Sequence, residues 1–301
     1  MINVKNITMN FEKITALKDV SLTIPKGCIY GIVGSNGAGK STLLRTISGI
    51  YKPTKGEVFV EEQKTFDNPK IKKKISFVSD DLYFLPDSRL RDMADLFSAA
   101  YDSFSFERFY SLAKTFDIST EVKINTLSKG IKRACAIILS LSTMSEYYLF
   151  DETLDGLDAI MRNVVKQIIF DEVMEKNATV ILTSHSLREL EDTCDQLALL
   201  HKGGIIVEND TQSLQIDAFK IQIAFSHNFT KNTFSKIEGF EILNYSQSGS
   251  VATFIAKGEK SNIHSKLKTL SPAFLDILPL NLEEVFVYKM ESLGYNKNAL
   301  K

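Results

Sequence analysis

The chain has 301 residues, of which 44% are hydrophobic and 24% charged, and its net charge is −1. This composition is typical of a globular protein with one large domain, or a large and a small one, and the balanced charge argues against nucleic acid as a partner. The polar N-terminus and the lack of any apolar run near the ~18 residues of a membrane span predict a soluble chain without a signal peptide. Three widely spaced cysteines predict reduced, partly buried thiols in a cytosolic protein.

The first 60 residues alternate strand-like segments with turns. The segments INVKNITMNF, LKDVSLTIPKG, CIYGIVG and GEVFVEE are rich in Val, Ile and Thr, and Gly27 and Gly56 mark turns. The segment KSTLLRTISGI then places apolar residues at helical spacing. The glycine-rich stretch GSNGAGKS, residues 34–41, is therefore predicted to lie between a strand and a helix.

This glycine-rich stretch fits the phosphate-binding pattern GxxxxGK[ST]. Its glycines allow consecutive backbone N–H groups to face a phosphate, and the following helix adds the positive end of its dipole. Lys40 is expected to reach the β- and γ-phosphates, and Ser41 to hold Mg²⁺. The flanking strand and helix disfavour the alternative, a plain glycine turn with a surface lysine. The predicted nucleotide-binding residues here are Gly34, Ser35, Asn36, Gly37, Ala38, Gly39, Lys40, Ser41 and Thr42.

Strands and helices alternate over the next part of the chain. Residues 71–79, 147–151 and 178–184 are predicted as strands, with a helix over about 157–176. This alternation predicts a parallel α/β sheet. Residues from about 85 to 145 are instead helical and rich in Phe and Tyr, and we interpret them as an inserted helical subdomain whose core most of these aromatic residues form.

The pattern changes again after residue 215, where the first domain, residues 1–215, is predicted to end. The segments FKIQIAF, FEILNY, VATFIA and AFLDIL have strand character, and KSNIHSKLKTL and NLEEVFVYKMESL have helical character. With a further helix around 230–237, the order is close to βαββαβ. Residues 216–301 are therefore predicted to form a small α+β domain, whose last helix places Val285, Tyr288 and Leu293 on one face.

The segment YYLFDE, residues 147–152, ends a hydrophobic strand in two carboxylates. Asp151 is expected to lie beside the phosphate loop, suited to Mg²⁺ through water, and Glu152 to polarise the water that attacks the γ-phosphate. Taken alone, such a pair is often only a polar strand end. The phosphate loop upstream favours the catalytic interpretation.

With these motifs the sequence resembles the ATP-binding subunits of ABC transporters over about residues 1–215. LSKG, residues 127–130, resembles the family's signature, and DGLD, residues 155–158, resembles the loop that links the two sites of the dimer. The resemblance implies an α/β P-loop NTPase fold with a helical subdomain, and an ATPase that uses ATP and Mg²⁺. It also implies a dimer in which the signature of one subunit contacts the γ-phosphate of ATP bound to the other.

The resemblance assigns roles to individual residues. Ser128 and Gly130 of the signature would contact the γ-phosphate across the dimer, and Asp158 belongs to the linking loop. His185, in TSHS, is at the position of the family's switch histidine, a catalytic residue that senses the γ-phosphate. Phe11 is at the family's aromatic position that stacks on adenine, although a phenylalanine there, taken alone, more often belongs to a core.

Three places depart from the family's pattern. Ser79 and Asp80 stand where the family usually has glutamine, Ile131 replaces the glutamine of the signature, and Thr153 replaces proline. Asp80 could reach Mg²⁺ or its waters, where its negative charge would alter the charge balance. Since none of these changes removes a catalytic residue, we expect an active ATPase.

The expected partners are a membrane-spanning transporter subunit and a second ATPase subunit, identical or related, with no nucleic acid. Such a chain would lie in the cytoplasm, peripherally on the inner face of the cell membrane, and residues near Tyr83 to Leu85 are candidates for the contact with the transporter. The tail NLEEVFVYKMESLGY and the segment LSKGIKR resemble a bacterial exporter branch that includes bacitracin-resistance and antimicrobial-peptide exporters. This predicts export of a peptide, drug or lipid-like compound, with import or a soluble non-transport ABC ATPase as the alternatives.

Overall fold

The computed structural model describes residues 1–210, 218–234, 240–280 and 284–285. The chain divides into two compact units, Met1–Thr211 and Gln212–Lys301. The predicted domain boundary at residue 215 lies outside the described residues, as do Tyr288 and Leu293 of the predicted last helix.

The first unit contains two sheets and seven helices among its described residues. Its strands are β1 (Ile2–Phe11), β2 (Ile14–Ile24), β3 (Ile29–Val33), β4 (Lys55–Val60), β5 (Gln63–Lys64), β6 (Ile75–Val78), β7 (Tyr147–Asp151), β8 (Thr179–Ser184), β9 (Gln196–His201) and β10 (Gly204–Asp210). Its helices are α1 (Lys40–Ile47), α2 (Pro69–Lys72), α3 (Leu90–Ala100), α4 (Phe106–Thr115), α5 (Lys129–Ser142), α6 (Ala159–Lys176) and α7 (Leu187–Glu191), with a 3₁₀ turn at Ile124–Thr126.

The larger sheet has the strand order β10-β9-β3-β8-β7-β6. Its strands are parallel except for β10, which pairs antiparallel with β9. Strands β3, β7 and β8 are buried along their whole length, as expected for a parallel sheet covered on both faces. The predicted α/β sheet is confirmed. The carboxyl ends of β3, β8 and β7 meet at one edge, where functional groups of such sheets collect.

The smaller sheet is antiparallel, with the order β2-β1-β4-β5, and the sequence analysis did not separate it from the parallel one. In the β1–β2 hairpin Phe11 pairs with Ile14. The N–H of Lys18 donates to the carbonyl of Gly203 at 2.7 Å, and the N–H of Gly203 donates to the carbonyl of Ala38 at 2.9 Å. The hairpin and the β9–β10 turn therefore hold the glycine-rich loop from one side.

The predicted strand over residues 71–79 is wrong in its first half. Strand β6 covers only Ile75–Val78, and the short helix α2 precedes it. Pro69 opens this helix, and the Asn68 side chain accepts a hydrogen bond from the N–H of Ile71, both of which are standard helix-start signals. The basic residues Lys70 and Lys72 therefore lie in the last turn of a helix.

The region predicted as a helical subdomain contains α3, α4 and α5, and both α3 and α4 pack against α5. Phe109 is fully buried, and its ring lies 5.1 Å from that of Tyr110, which is itself 48% exposed. Phe104 and Phe106 are also in ring contact, at 5.1 Å. These four rings form one cluster in which only Phe109 is buried, so the prediction that most of the aromatic residues form a core is wrong. None of the helices in the described part of the chain combines the length and apolar character that a membrane crossing requires.

The three cysteines are buried. Burial raises the pKa of Cys28 to about 11 and that of Cys135 to about 12, and it also raises the pKa of Cys194. Thiols that stay protonated at neutral pH are poor nucleophiles, which agrees with a structural interpretation of all three.

The second unit contains one antiparallel sheet with the order β12-β13-β11-β14. The predicted strands, the predicted hairpin and the helix before the last strand are confirmed. In place of the predicted helix around 230–237, the described residues contain a 3₁₀ turn, Lys231–Thr233, and residues 235–239 lie outside them. The elements are β11 (Ala218–Ala224), β12 (Glu241–Ser248), β13 (Val251–Lys257), α8 (Lys260–Lys268) and β14 (Phe274–Pro279).

Candidate functional site

The glycine-rich loop runs from the end of β3 to the start of α1, as predicted. Gly39 directly precedes the helix with φ of +108°, a backbone conformation that favours glycine. A Cβ at this position would also lie only 2.7 Å from the carbonyl oxygen of Ala16. The loop can therefore lie close to the β1–β2 hairpin, and it directs the positive end of α1 toward the space above the sheet edge.

Lys40 is 4% exposed, and three oxygens surround its ammonium group. Nζ donates to the carbonyls of Gly34, at 2.7 Å, and Ser35, at 3.3 Å, and lies 2.9 Å from Oε1 of Glu152. Since an ammonium group has three donors, these acceptors satisfy it completely. The structure thus brings together the predicted phosphate-binding lysine and the predicted catalytic carboxylate.

Asp151 is fully buried at the end of β7. Its Oδ1 accepts a hydrogen bond from Oγ1 of Thr183 at 2.8 Å, while Oδ2 has no hydrogen-bond partner among the described residues. Burial raises the pKa of Asp151, against the nearby hydroxyls of Ser41 and Thr183, which lower it. An unpartnered buried carboxylate oxygen near a serine hydroxyl offers the hard oxygen ligands that Mg²⁺ takes, so these residues fit the ion.

Glu152 has a left-handed backbone conformation, with φ of +47°, which is uncommon for a residue other than glycine. Hydrogen bonds hold its peptide groups on both sides. Its N–H donates to Oγ1 of Thr183 at 2.9 Å, and its carbonyl accepts from Nη1 of Arg133 at 2.9 Å. These contacts support a conformation that turns the carboxylate toward Lys40.

Asp80 lines the same cleft as Lys40 and Glu152. Its carboxylate forms an ion pair with the buried guanidinium of Arg133 on α5. The sequence analysis missed the role of Arg133, because the motif around it gives no sign of a partner 53 residues away. A signal was nevertheless present in the sequence. Asp80 adds a negative charge at one departure from the expected pattern, and Ile131, two residues before Arg133, is another departure.

His185, at the end of β8, is half-exposed, and its Nδ1 lies 2.9 Å from Oδ2 of Asp155. The hydroxyl of Ser184 donates to Oδ1 of Asp155 at 3.0 Å. One side-chain ligand atom from each of Glu152, Asp155 and His185 lies within 4.8 Å of the others. The predicted switch histidine is therefore close to the predicted catalytic glutamate, and Asp155 is a contact that the sequence analysis did not identify.

Asp155 and Glu189 share a buried site. Burial, followed by the contact with Glu189 and its negative charge, raises the pKa of Asp155 to about 7. The pKa of Glu189 is lowered, although its burial acts in the opposite direction. The contact with Asp155 and the positive charge of Arg162 lower it, and Nη1 of Arg162 lies 2.9 Å from Oε1 of Glu189. The pair thus keeps one proton as the pH rises to about 7.

The cleft above the sheet edge has a volume of about 640 Å³. Most of the predicted nucleotide-binding residues line it, from Asn36 to Thr42. The sequence analysis missed further lining residues, which are Ile14, Thr15, Ala16, Lys18, Lys202 and Gly203. Phe11 is not among the lining residues. Its ring is 40% exposed and lies 5.4 Å from that of Tyr51, edge to face, so its contact with adenine stays a prediction.

Five other predicted nucleotide-binding residues do not line this cleft: Gly34 and Ser35, whose carbonyls contact Lys40, and Ser128, Gly130 and Asp158. Ser128 is exposed and caps α5, where its hydroxyl accepts from the N–H of Ile131 at 3.3 Å, and Gly130 follows in the first turn. Asp158 is exposed and caps α6 through the N–H of Met161 at 2.9 Å. These two caps present polar groups to the outside of the described chain.

Comparison with known proteins finds a matching family model and curated relatives. A family model described as ABC transporter matches residues 17–155. The ABC transporter ATP-binding protein YtrB of Bacillus subtilis is 30% identical over 289 residues, which cover 96% of this chain and 98% of that protein. The methionine import ATP-binding protein MetN 1 of Enterococcus faecalis is 31% identical over 229 residues, 71% of this chain and 64% of that protein.

A solved structure gives the same result for the fold. The dimeric post-hydrolysis structure of the ATP-binding cassette MJ0796, bound to ADP and Pi, superposes with a TM-score of 0.65 at 27% identity. The match covers 70% of this chain and 99% of that one.

Replacing Asp155 with Asn tests the proton that the structure assigns to the buried pair. In the folded protein Asp155 keeps its proton up to about pH 7, whereas an unfolded aspartate loses it near 3.8. The folded state therefore binds more protons between these values, and its stability falls as the pH rises through this window. We expect the free energy of unfolding of the wild type to fall relative to Asp155→Asn between about pH 4 and about pH 7, measured by urea denaturation. If the free energies of unfolding of the wild type and of Asp155→Asn changed in parallel with pH, Asp155 would not hold this proton.

Proposed function

The chain belongs to the family of ABC transporter ATP-binding proteins, and from this membership we propose that it hydrolyses ATP in the cleft between the glycine-rich loop and Glu152. Members of this family dimerise, bind and hydrolyse ATP, and work with a membrane transporter. The observation that carries the proposed site is the contact of the buried Lys40 ammonium with the Glu152 carboxylate, at 2.9 Å. This contact places Lys40, the proposed phosphate-binding group, next to Glu152, the proposed water-activating group.

The mechanism follows from the groups around Lys40. Its three acceptors are two loop carbonyls and one carboxylate, and γ-phosphate oxygens would replace some of them when ATP binds. Glu152, released from Lys40, would then accept the proton of the attacking water. His185, whose side chain lies close to Glu152, would donate a hydrogen bond to the γ-phosphate.

We assign the metal to Ser41 and Asp151. When bound, Mg²⁺ would neutralise charge on the phosphate oxygens, which is its general role in phosphoryl transfer. The unpartnered Oδ2 of Asp151 and the hydroxyl of Ser41 are the groups of this chain that would hold it, directly or through water.

A second subunit would complete the site. Ser128, Gly130 and Asp158 lie outside the cleft of their own chain: Ser128 and Asp158 are the exposed N-caps of α5 and α6, and the partly exposed Gly130 lies in the first turn of α5. We propose that they contact the nucleotide and the linking loop of a second ATPase subunit, either another copy or a related chain. ATP would then close this interface and hydrolysis would open it.

For the direction of transport we propose export of a peptide, drug or lipid-like compound. The support is the resemblance of LSKGIKR and of the C-terminal tail to a bacterial exporter branch. Import is the second candidate, because MetN 1 is named a methionine import protein and is 31% identical over its matched part. In either case we propose a position on the inner face of the cell membrane, where ATP is available.

We further propose that residues 216–301 form a domain with a packing or dimerisation role. The match to YtrB covers 96% of the chain and so extends into this domain, whereas the match to MetN 1 covers 71%. The sequence similarity to YtrB thus includes the region of the proposed domain.

Replacing Glu152 with Gln tests the catalytic assignment. The amide keeps the shape of the side chain but cannot accept a proton, so we expect ATP hydrolysis to fall by at least about 100-fold while ATP binding persists. ATP should then trap the variant as a dimer, visible as an ATP-dependent increase in mass by light scattering.

Glu107→Gln is the matched control, because it makes the same chemical change on the exposed surface of α4 and should hydrolyse ATP at the wild-type rate. The assignment is wrong if Glu152→Gln binds ATP and hydrolyses it unchanged.

Replacing Tyr83 and Leu85 with Ala tests the contact with the transporter. These side chains are 77% and 44% exposed on the segment between β6 and α3, where apolar groups can bind a partner helix. We expect the double variant to keep ATP binding but to lose ATP-driven transport in proteoliposomes that contain the membrane protein that co-purifies with this chain.

The same proteoliposomes report the direction of transport by the wild type. With ATP outside, entry of a labelled antimicrobial peptide indicates export, and exit of trapped methionine indicates import.

Phe170→Ala, an equally simple loss of an exposed aromatic group on α6, is the control and should transport normally. Loss of ATP binding by the Tyr83 and Leu85 variant would count against a docking role.

A further inference from the structure

Arg133 lies in the second turn of α5, and its side chain is only 5% exposed. Nη2 pairs with the carboxylate of Asp80, and Nη1 donates a hydrogen bond to the backbone carbonyl of Glu152 at 2.9 Å. The planar guanidinium can bind two acceptors in fixed directions at once. A single side chain therefore joins the segment after β6 to the catalytic end of β7.

The surroundings of Arg133 are shaped to hold it. A Cβ at Gly156 would come within 2.5 Å of Nη1 and 2.9 Å of Cζ, so the glycine leaves the space that the guanidinium occupies. A buried guanidinium also needs an anionic partner, because an unpaired buried charge is strongly unfavourable. Asp80 supplies this partner from a position at the rim of the cleft, where its side chain is 48% exposed.

The hydrogen bond to Glu152 acts on an unusual piece of backbone. With φ of +47°, Glu152 needs support from its surroundings, and Thr183 provides it at the N–H while Arg133 provides it at the carbonyl. The carboxylate extends from the same residue toward Lys40. Relaxation of φ at Glu152 out of the left-handed region would therefore turn its side chain away from Lys40.

We propose that Arg133 is a positioning residue for ATP hydrolysis, which holds the backbone of Glu152 in place, and that Asp80 acts by fixing Arg133. The inference rests on the proposed function, in which Glu152 activates the attacking water. It gives Asp80 a role that requires no metal. It also makes the geometry of Glu152 dependent on the segment that continues from Asp80 to the exposed Tyr83.

The test compares the wild type with Arg133→Gln, Asp80→Asn and the double variant. Glutamine can reach one of the two acceptors but cannot bind both, so Glu152 loses its fixed orientation while the phosphate loop stays intact. We expect kcat to fall about 10-fold or more, because small misplacements of catalytic groups are costly, with KM for ATP and the affinity for a non-hydrolysable ATP analogue changed less than about 2-fold. Asp80→Asn should have no further effect in the Arg133→Gln background, since both changes act through one contact.

Two further variants separate positioning from stability. Arg108→Gln removes another arginine of the helical subdomain, one that pairs with buried Glu172 at 2.7 Å, and should lower stability without lowering kcat per folded molecule. Arg133→Lys keeps the charge for Asp80 but not the two-pronged geometry, so its kcat should lie between those of the wild type and Arg133→Gln.

The inference is overturned if Arg133→Gln keeps kcat within about 2-fold of the wild type while Glu152→Gln abolishes hydrolysis. The inference is also overturned if the activity that Arg133→Gln loses is fully explained by its loss of folded protein, as expected for Arg108→Gln. Wild-type hydrolysis by Glu152→Gln would instead overturn the proposed function itself.

Discussion

The contact between Lys40 and Glu152 connects two strands of the parallel sheet that are not neighbours. The phosphate loop follows β3, Glu152 follows β7, and β8 lies between them. Thr183 of β8 bridges this gap, because its hydroxyl hydrogen-bonds with both the Asp151 carboxylate and the N–H of Glu152. The rest of the proposed site depends on this arrangement, since it brings Lys40, Asp151 and Glu152, the proposed phosphate-binding, metal-binding and water-activating groups, to one edge of the sheet.

The sequence predicted the parts of this site that are determined by local patterns. The phosphate loop, the carboxylates at the end of β7 and the strands and helices around them follow from side-chain chemistry and periodicity within short segments. The basic segment before β6 was assigned wrongly because the start signals at Asn68 and Pro69 were overlooked. The separate antiparallel sheet was missed because strand pairing is set by contacts distant in sequence, which periodicity does not report.

The same limit explains the functional residues that were missed. Asp80 was noted as a departure from the family's pattern, but its partner Arg133 is 53 residues away and could be found only in the folded chain. Asp155 was assigned to the linking loop, yet its contact with His185 and its raised pKa depend on burial beside Glu189. Charged residues can be identified from sequence, whereas their partners and their protonation states are properties of the packed structure.

One chain holds only part of the proposed site. The cleft offers the phosphate loop and the carboxylates, while Ser128 and Asp158 face outward at the exposed starts of α5 and α6. The N-terminus of α5, with its backbone N–H groups and Ser128, is suited to bind a phosphate. In the proposed dimer this phosphate belongs to ATP held by the other subunit. In this account closure of the dimer completes catalysis, and Arg133 and Asp80 relate the geometry of Glu152 to the segment proposed to contact the transporter.

The central claim is that each site is formed by two subunits, and mixing two inactive variants tests it most directly. The test uses a preparation in which the wild-type chain hydrolyses ATP without any partner protein. Under these conditions Lys40→Ala and Ser128→Arg should each be inactive. Their mixed dimers contain one site with an intact loop and an intact signature, so the mixture should recover up to about a quarter of the wild-type activity. A mixture as inactive as its components, or a Ser128→Arg variant as active as the wild type, would contradict the account.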